Sequence, residues 1–255
     1  MKIEIKGNCL HGGDSRLEIA ASDRFALSVC EDCRESQNIA LNIRNIRVDN
    51  HLVSLGEKPR LQVVEHLFSA LYGLQLFTVR IDVYGDEIPF FDGSSQEFVA
   101  LLQHMQNHTV PDIVRSDRCI SVQQGESFII YEPLHNDKLL IEMTLAHPYI
   151  ETQRISLEID ENSYKKEIAS ARTFVFTHEN DSRLKNLPPY GIGITSNGIY
   201  SAQPLRFPDE LVRHKMLDLL GDLYVLGRTL IGKLHCWNTS HNLNLQFVKR
   251  LSLMT

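Results

Sequence analysis

The chain has 255 residues, 43% of them hydrophobic, with 26 Lys plus Arg against 32 Asp plus Glu, a formal charge of −6 when histidines are neutral. That is enough apolar material for one large or two small packed domains. The mild acidity argues against a general nucleic-acid binder, which collects cations to displace phosphate counterions.

No stretch approaches the ~20 apolar residues of a membrane span. The start, MKIEIKGNCLHGG, has no apolar run of the kind a secretory leader needs. A soluble chain without a membrane span is therefore expected. Cys9, Cys30, Cys33, Cys119 and Cys236 form no regular framework, which suits a reducing cytosol. Cys30 and Cys33 make a CxxC, but Glu31 and Asp32 between them disfavour a reactive thiolate, and a reduced loop is expected.

In chain order, Lys2–Lys6 alternates as a strand, and Leu17–Val29 and Asn38–Val48 read as two more. Over Leu61–Leu74 the apolar residues Val64, Leu67, Phe68, Leu71 and Tyr72 recur at helical spacing, with Gly73 as a stop. A buried strand over Phe77–Val83, a loop over Gly85–Ser95 turning at Asp92-Gly93, and a helix over Gln96–Gln106 follow. The polar segment Asn107–Asp117, carrying Pro111, is the expected domain boundary.

After it the pattern starts again. Strands are expected near Cys119–Gln123, Ser127–Glu132, Leu139–Leu145 and Gln153–Ile159, then a helix from Glu161 to about Ser170. Ser182–Gln203 is irregular and rich in Gly, Pro and Asn; Pro208–Gly227 is a strong helix with a broad apolar face. A strand over Gly232–Trp237 leads to a terminal helix from about Asn242. The expectation is an α+β protein of two similar domains, 1–110 and 118–255, each a β-sheet with two main helices.

The chemistry concentrates in RHKMLDLLGD, residues 213–222. His214 and Asp218, four apart on a helix, project from one face. They can form a surface ion pair, or supply two of the three protein ligands of a catalytic zinc site. Glu65 and His66 are helix neighbours that diverge by about 100°, so His66 can coordinate while Glu65 leans toward a water. HExxH is excluded, since Ser69 and Ala70 stand where a second His would be needed. His66, His214 and Asp218 thus make a candidate Zn2+ set whose ion would acidify water and polarise a carbonyl. Asp222 either orients an imidazole or ends the helix as a polar residue. His241, in NTSHNLN, suits a general acid. Thr173 either donates to an oxyanion or packs at a strand end.

CLHGG (9–13), VEHLFSAL (64–71), EIPFFDGSSQEFV (87–99), AHPYI (146–150), SARTFVF (170–176), LRFPDELVRHKMLDLLGDLYVLG (205–227) and SHNLN (240–244) occur together and in order. With them the chain resembles the UDP-3-O-acyl-N-acetylglucosamine deacetylases, zinc amidases that perform the committed step of lipid A biosynthesis in the Gram-negative cytoplasm. The resemblance implies helices packed between two sheets and a small insert in the second domain, here 183–207, that builds an apolar passage for an acyl chain.

It further implies His66, His214 and Asp218 as zinc ligands, Glu65 as general base and His241 as acid or electrostatic stabiliser. Thr173 matches the oxyanion donor, and Lys215 and Asp222 match polar active-site groups. Phe174 and Phe176 match aromatic positions beside the substrate, a small-molecule nucleotide-sugar lipid; a monomer is expected. The chain departs from the family pattern at Val63, Val175 and Ser240, and at Asn238, where a Lys contacting the nucleotide is usual. Two other readings are hydrolysis of a different acylated amino sugar and a non-catalytic nucleotide-sugar-binding paralogue.

Overall fold

The computed structural model describes residues 2–31, 35–49, 52–105, 111–185, 187–188 and 190–254. Asp32 and Cys33 lie outside them, as do residues 107–110 of the expected boundary and Asn186 and Pro189 of the expected insert.

Two five-stranded sheets carry the chain, and their topologies are the same. In the first, the strand order is Lys2–Asn8, Asp14–Ala21, Val79–Tyr84, Ala26–Glu31, Glu35–Asn38. In the second it is Ile120–Gln124, Ser127–Glu132, Gly232–Trp237, Leu139–His147, Ile150–Ile159. Each sheet has at its centre the strand that comes last in the chain, antiparallel to one neighbour and parallel to the other. Alternation sets the faces: Leu17, Ile19, Ile81 and Val83 point into the core from one sheet, Ile129, Tyr131, Ile141, Met143 and Leu234 from the other.

The helices are α1 (Glu65–Gly73), α2 (Gln96–Leu102), the short α3 (Glu161–Ser163), α4 (Ser182–Lys185), α5 (Glu210–Leu223) and α6 (His241–Ser252). Of these, α1, α2, α5 and α6 form the layers between the sheets. Helix α2 packs on Lys2–Asn8 and on α1, α1 packs on α5, α5 packs on Leu139–His147, and α6 packs on Ile120–Gln124 and Ser127–Glu132. The fold is therefore α+β with helices sandwiched by two sheets, as expected.

Several element boundaries differ from the sequence expectation, each for a local reason. Leu17–Val29 is two strands, because the chain turns between Ala21 and Ala26. Asn38–Val48 is interrupted: Asn42 Oδ1 accepts from the backbone N–H of Arg44 and Asn45 and makes a turn there. Leu61–Gln62 pairs with Ser54–Leu55, which delays α1 to Glu65. The helix expected to end near Ser170 becomes a π-helix over Tyr164–Ile168. The 182–203 region carries α4 and a hairpin, Ile192–Thr195 with Gly198–Tyr200, added to Phe174–Phe176.

The α1–α5 contact decides the site, and Gly221 permits it. A Cβ at 221 would stand 2.3 Å from the Glu65 carbonyl oxygen. Alanine is favoured over glycine inside a helix by about 1 kcal/mol. Overpacking against backbone costs roughly 1–3 kcal/mol, so the clash should win. Gly221→Ala is expected to lower Tm by several degrees, since each kcal/mol shifts a chain of this size by roughly 2–4 °C. An unchanged or raised Tm in thermal unfolding would show that the helices separate freely.

Candidate metal centre

The chain enters α1 through a left-handed Val63, φ 58°, buried and β-branched. Such a conformation is strained for a branched residue. It turns the strand Leu61–Gln62 so that Glu65 opens the helix, where the Glu65 carboxylate accepts from the Val53 backbone N–H at 3.2 Å. His66 follows on the next face, with its ring 5.3 Å from that of His214.

From α5, His214 and Asp218 come to the same place. His214 Nδ1 faces the Ala171 carbonyl oxygen at 3.1 Å, and donating to it leaves the Nε2 lone pair free, 3.3 Å from Asp218 Oδ1. Ligand atoms of His66, His214 and Asp218 lie within 4.8 Å of one another, and all three residues are buried. His66 Nδ1 is buried with no hydrogen-bond partner among the described residues. Two free imidazole lone pairs and a carboxylate aimed at one point suit a divalent cation with one open position.

The charges agree with that donor set. Burial holds His66 down at about 3, and burial also lowers His214, so both imidazoles are neutral. Burial works against the Asp218 carboxylate, but Lys215, His214 and His241 outweigh it and hold it far below the ordinary range. Lys215 Nζ donates to Asp218 Oδ2 at 2.8 Å and sits 5.5 Å from the centre of the Phe174 ring.

Around this cluster stand two groups that both hold a proton more tightly than usual. Burial pushes Glu65 up to about 7, against the pull of His241. Burial opposes charge on His241 too, but Asp222 and Asp218 raise it to about 9. His241 is the first residue of α6, after Ser240, whose hydroxyl accepts from Leu243 N–H as a helix cap. Its Nδ1 meets Asp222 Oδ2 at 2.8 Å, and Asn244 Nδ2 donates to the same oxygen at 2.8 Å. His241 Nε2 is thereby turned inward, 3.8 Å from Asp218 Oδ1.

Thr173 N–H donates to the Gly93 carbonyl oxygen at 2.8 Å, and a Cβ at 93 would come within 2.7 Å of Thr173 Cγ2, so only glycine fits the turn, at φ +75°. Phe174 contacts His214 edge-on, 6.0 Å between centroids. Phe176 is further out and stacks on His147 at 3.8 Å. Asn238, left-handed at φ 47°, spends its side-chain oxygen on Ala146 N–H at 2.7 Å.

Sequence reasoning missed Ala171, whose contribution is a backbone carbonyl that any residue could supply. It also missed Phe90, 5.6 Å from the His66 ring, and the Arg172–Glu210 pair. Glu210 could have been flagged, because it stands four residues before His214 on the same helix.

Compared with known proteins, residues 1–253 match the family described as LpxC, UDP-3-O-acyl N-acetylglycosamine deacetylase. The chain belongs to this family. Relatives in Coxiella burnetii strains CbuK_Q154, Dugway 5J108-111 and CbuG_Q212 are each named UDP-3-O-acyl-N-acetylglucosamine deacetylase. Each is 34% identical over 203 residues, spanning 75% of this chain and 67% of the relative. The family is one of metalloenzymes, in keeping with the His/Asp cluster.

Proposed function

We propose that this chain hydrolyses the N-acetyl group of a UDP-3-O-acyl-N-acetylglucosamine, releasing acetate, the committed step of lipid A biosynthesis in a Gram-negative cytoplasm. The observation that carries this reading is the meeting of His66, His214 and Asp218 beside Glu65, a carboxylate made more basic by burial, and His241, an imidazole held protonated by Asp222 and Asp218. Zinc(II) is the ion we assign, since two neutral imidazoles and one carboxylate with an open fourth position match its catalytic sites. When bound it supplies Lewis acidity, acidifying water and polarising the amide carbonyl.

The protein's own groups do the rest. Glu65 accepts a proton from the attacking water as the new C–O bond forms. The Thr173 hydroxyl donates to the oxyanion that develops on the former carbonyl. His241 donates its Nε2 proton to the nitrogen as the C–N bond breaks. Acetate and a free amine on the sugar result, and Glu65 and His241 end in the opposite protonation states.

The test is release of acetate from acylated UDP-N-acetylglucosamine with zinc controlled, read against the same sugar without UDP and without the acyl chain. Greater activity on the sugar lacking UDP would replace this substrate, an outcome to which Asn238, already engaged with Ala146, makes the chain open. The pH profile of kcat/KM should be a bell, because Glu65 must be ionised and His241 protonated. In the protein alone these groups titrate at about 7 and about 9. A dication beside them favours the anion and disfavours the cation, so both limbs should fall at or below those values. A rate that climbs steadily beyond pH 9 would exclude His241 as the acid.

A further inference from the structure

Arg172 and Glu210 are both completely buried and joined by Arg172 Nε donating to Glu210 Oε1 at 2.8 Å and Nη2 donating to Oε2 at 3.1 Å. The Arg172 backbone N–H also donates to Glu210 Oε1, at 3.0 Å, and the Arg206 N–H donates to Oε2 at 2.7 Å. The guanidinium reaches on to the carbonyl oxygens of Pro204 at 2.9 Å and Tyr190 at 3.4 Å. Removing two charges from water is costly, and apolar residues of the same volume often fill such a space equally well. Stability alone does not account for the pair.

Its place in the chain does. Arg172 lies between Ala171, whose carbonyl oxygen accepts a hydrogen bond from His214 Nδ1, and Thr173. Glu210 lies one helical turn before His214 on α5. Arg172 is the chain neighbour of Ala171, and Glu210 is one rigid helical turn from His214, so the ion pair ties the two halves of the His214 hydrogen bond to each other. It also ties down both ends of the 190–204 hairpin segment above them.

We propose that Arg172 and Glu210 are positioning residues: their buried ion pair holds the Ala171 carbonyl against His214 Nδ1, fixing the tautomer that presents Nε2 to the metal, and sets the path of Thr173. This rests on the reading of His214 as a ligand. Groups that orient a ligating histidine typically contribute 10–100-fold to metal affinity or activity. A pair serving stability alone would contribute to neither.

The experiment uses the zinc-loaded full chain and the variants Arg172→Lys and Glu210→Gln, with His214→Ala as control. Lysine keeps the charge but loses the fork that bonds Glu210 and Pro204 together; glutamine keeps the shape but cannot accept from all its donors. Zinc affinity is measured by chelator competition well below each variant's Tm, with kcat, KM and Tm read in parallel. Expected is a 10–100-fold loss of zinc affinity with a matching fall in kcat and little change in KM. Should Glu210→Gln not fold, Glu210→Asp carries the same comparison, its charge kept and its reach shortened. Zinc affinity and kcat within twofold of the parent, with only Tm lowered, would overturn the proposal. Undiminished zinc binding in His214→Ala would instead overturn the ligand reading on which it rests.

Discussion

Glu65→Gln is expected to lower kcat by roughly 10²–10⁴-fold, the usual contribution of a positioned general base, while leaving one metal ion per chain. The side chains are isosteric, and the amide oxygen can still accept from Val53 N–H, so α1 keeps its entry. His66, one residue on, loses nothing. The variant should also be the more stable protein without metal. Glu65 has a folded pKa of about 7, raised from 4.5 by burial. For a group raised in this way, the stability contribution is fully present below the unfolded value and is lost as pH rises through 7. Gln never ionises, so at pH 8 the metal-free variant should exceed the parent by up to about 3 kcal/mol. Chemical denaturation at pH 5 and pH 8 measures this, and an advantage that does not grow with pH would contradict the burial of Glu65. Stability gained as activity is lost is the signature of a strained functional group.

The parts of this protein that were legible in its sequence are those governed by near neighbours. The strands Ser127–Glu132 and Gly232–Trp237 have the bounds that alternation predicts, and α5 follows its apolar face closely. The central position of Val79–Tyr84 and Gly232–Trp237 in their sheets was not legible, because strand order is set by packing between distant segments rather than by any local pattern. Asn42 hid a turn in what looked like continuous alternation, since its effect runs through a side-chain oxygen and not through hydrophobicity.

The site divides the same way. His214 and Asp218 announce themselves by spacing on one helix. Glu65 and His66 carry a weaker mark, a Glu-His pair inside one helix without a second histidine at metal-ligand spacing, and the resemblance of whole segments strengthens it. What joins the two helices is Gly221, an absence of side chain that reads in the sequence as a weak point of α5. Tyr164 illustrates the same difficulty: its ring fills the space over Gly73 and its hydroxyl meets Ser69, yet it sits in a π-helical segment that ordinary periodicity smooths over.

His66→Ala and His214→Ala should each lose the stoichiometric metal and, with it, all but about 1% of activity or less, because two remaining ligands hold zinc poorly at a site built for three. Metal analysis after dialysis against a mild chelator separates these variants from Glu65→Gln, which should keep its ion. An ion retained by both histidine variants would place the metal elsewhere. The pH dependence sharpens the assignment. His66 is depressed to about 3 by burial from an ordinary 6.5. A group lowered in the fold contributes stability that is present above the unfolded pKa and lost as pH falls toward the folded one. In the metal-free parent this group should therefore remove roughly 4 kcal/mol between pH 6.5 and pH 3. His66→Ala leaves a cavity but no imidazole to protonate, so its stability should depend less steeply on pH across that window. A solvent-exposed histidine would produce no such difference. Equal acid sensitivity in the two proteins would mean that the His66 ring is open to water, which would contradict the burial of all three ligand residues.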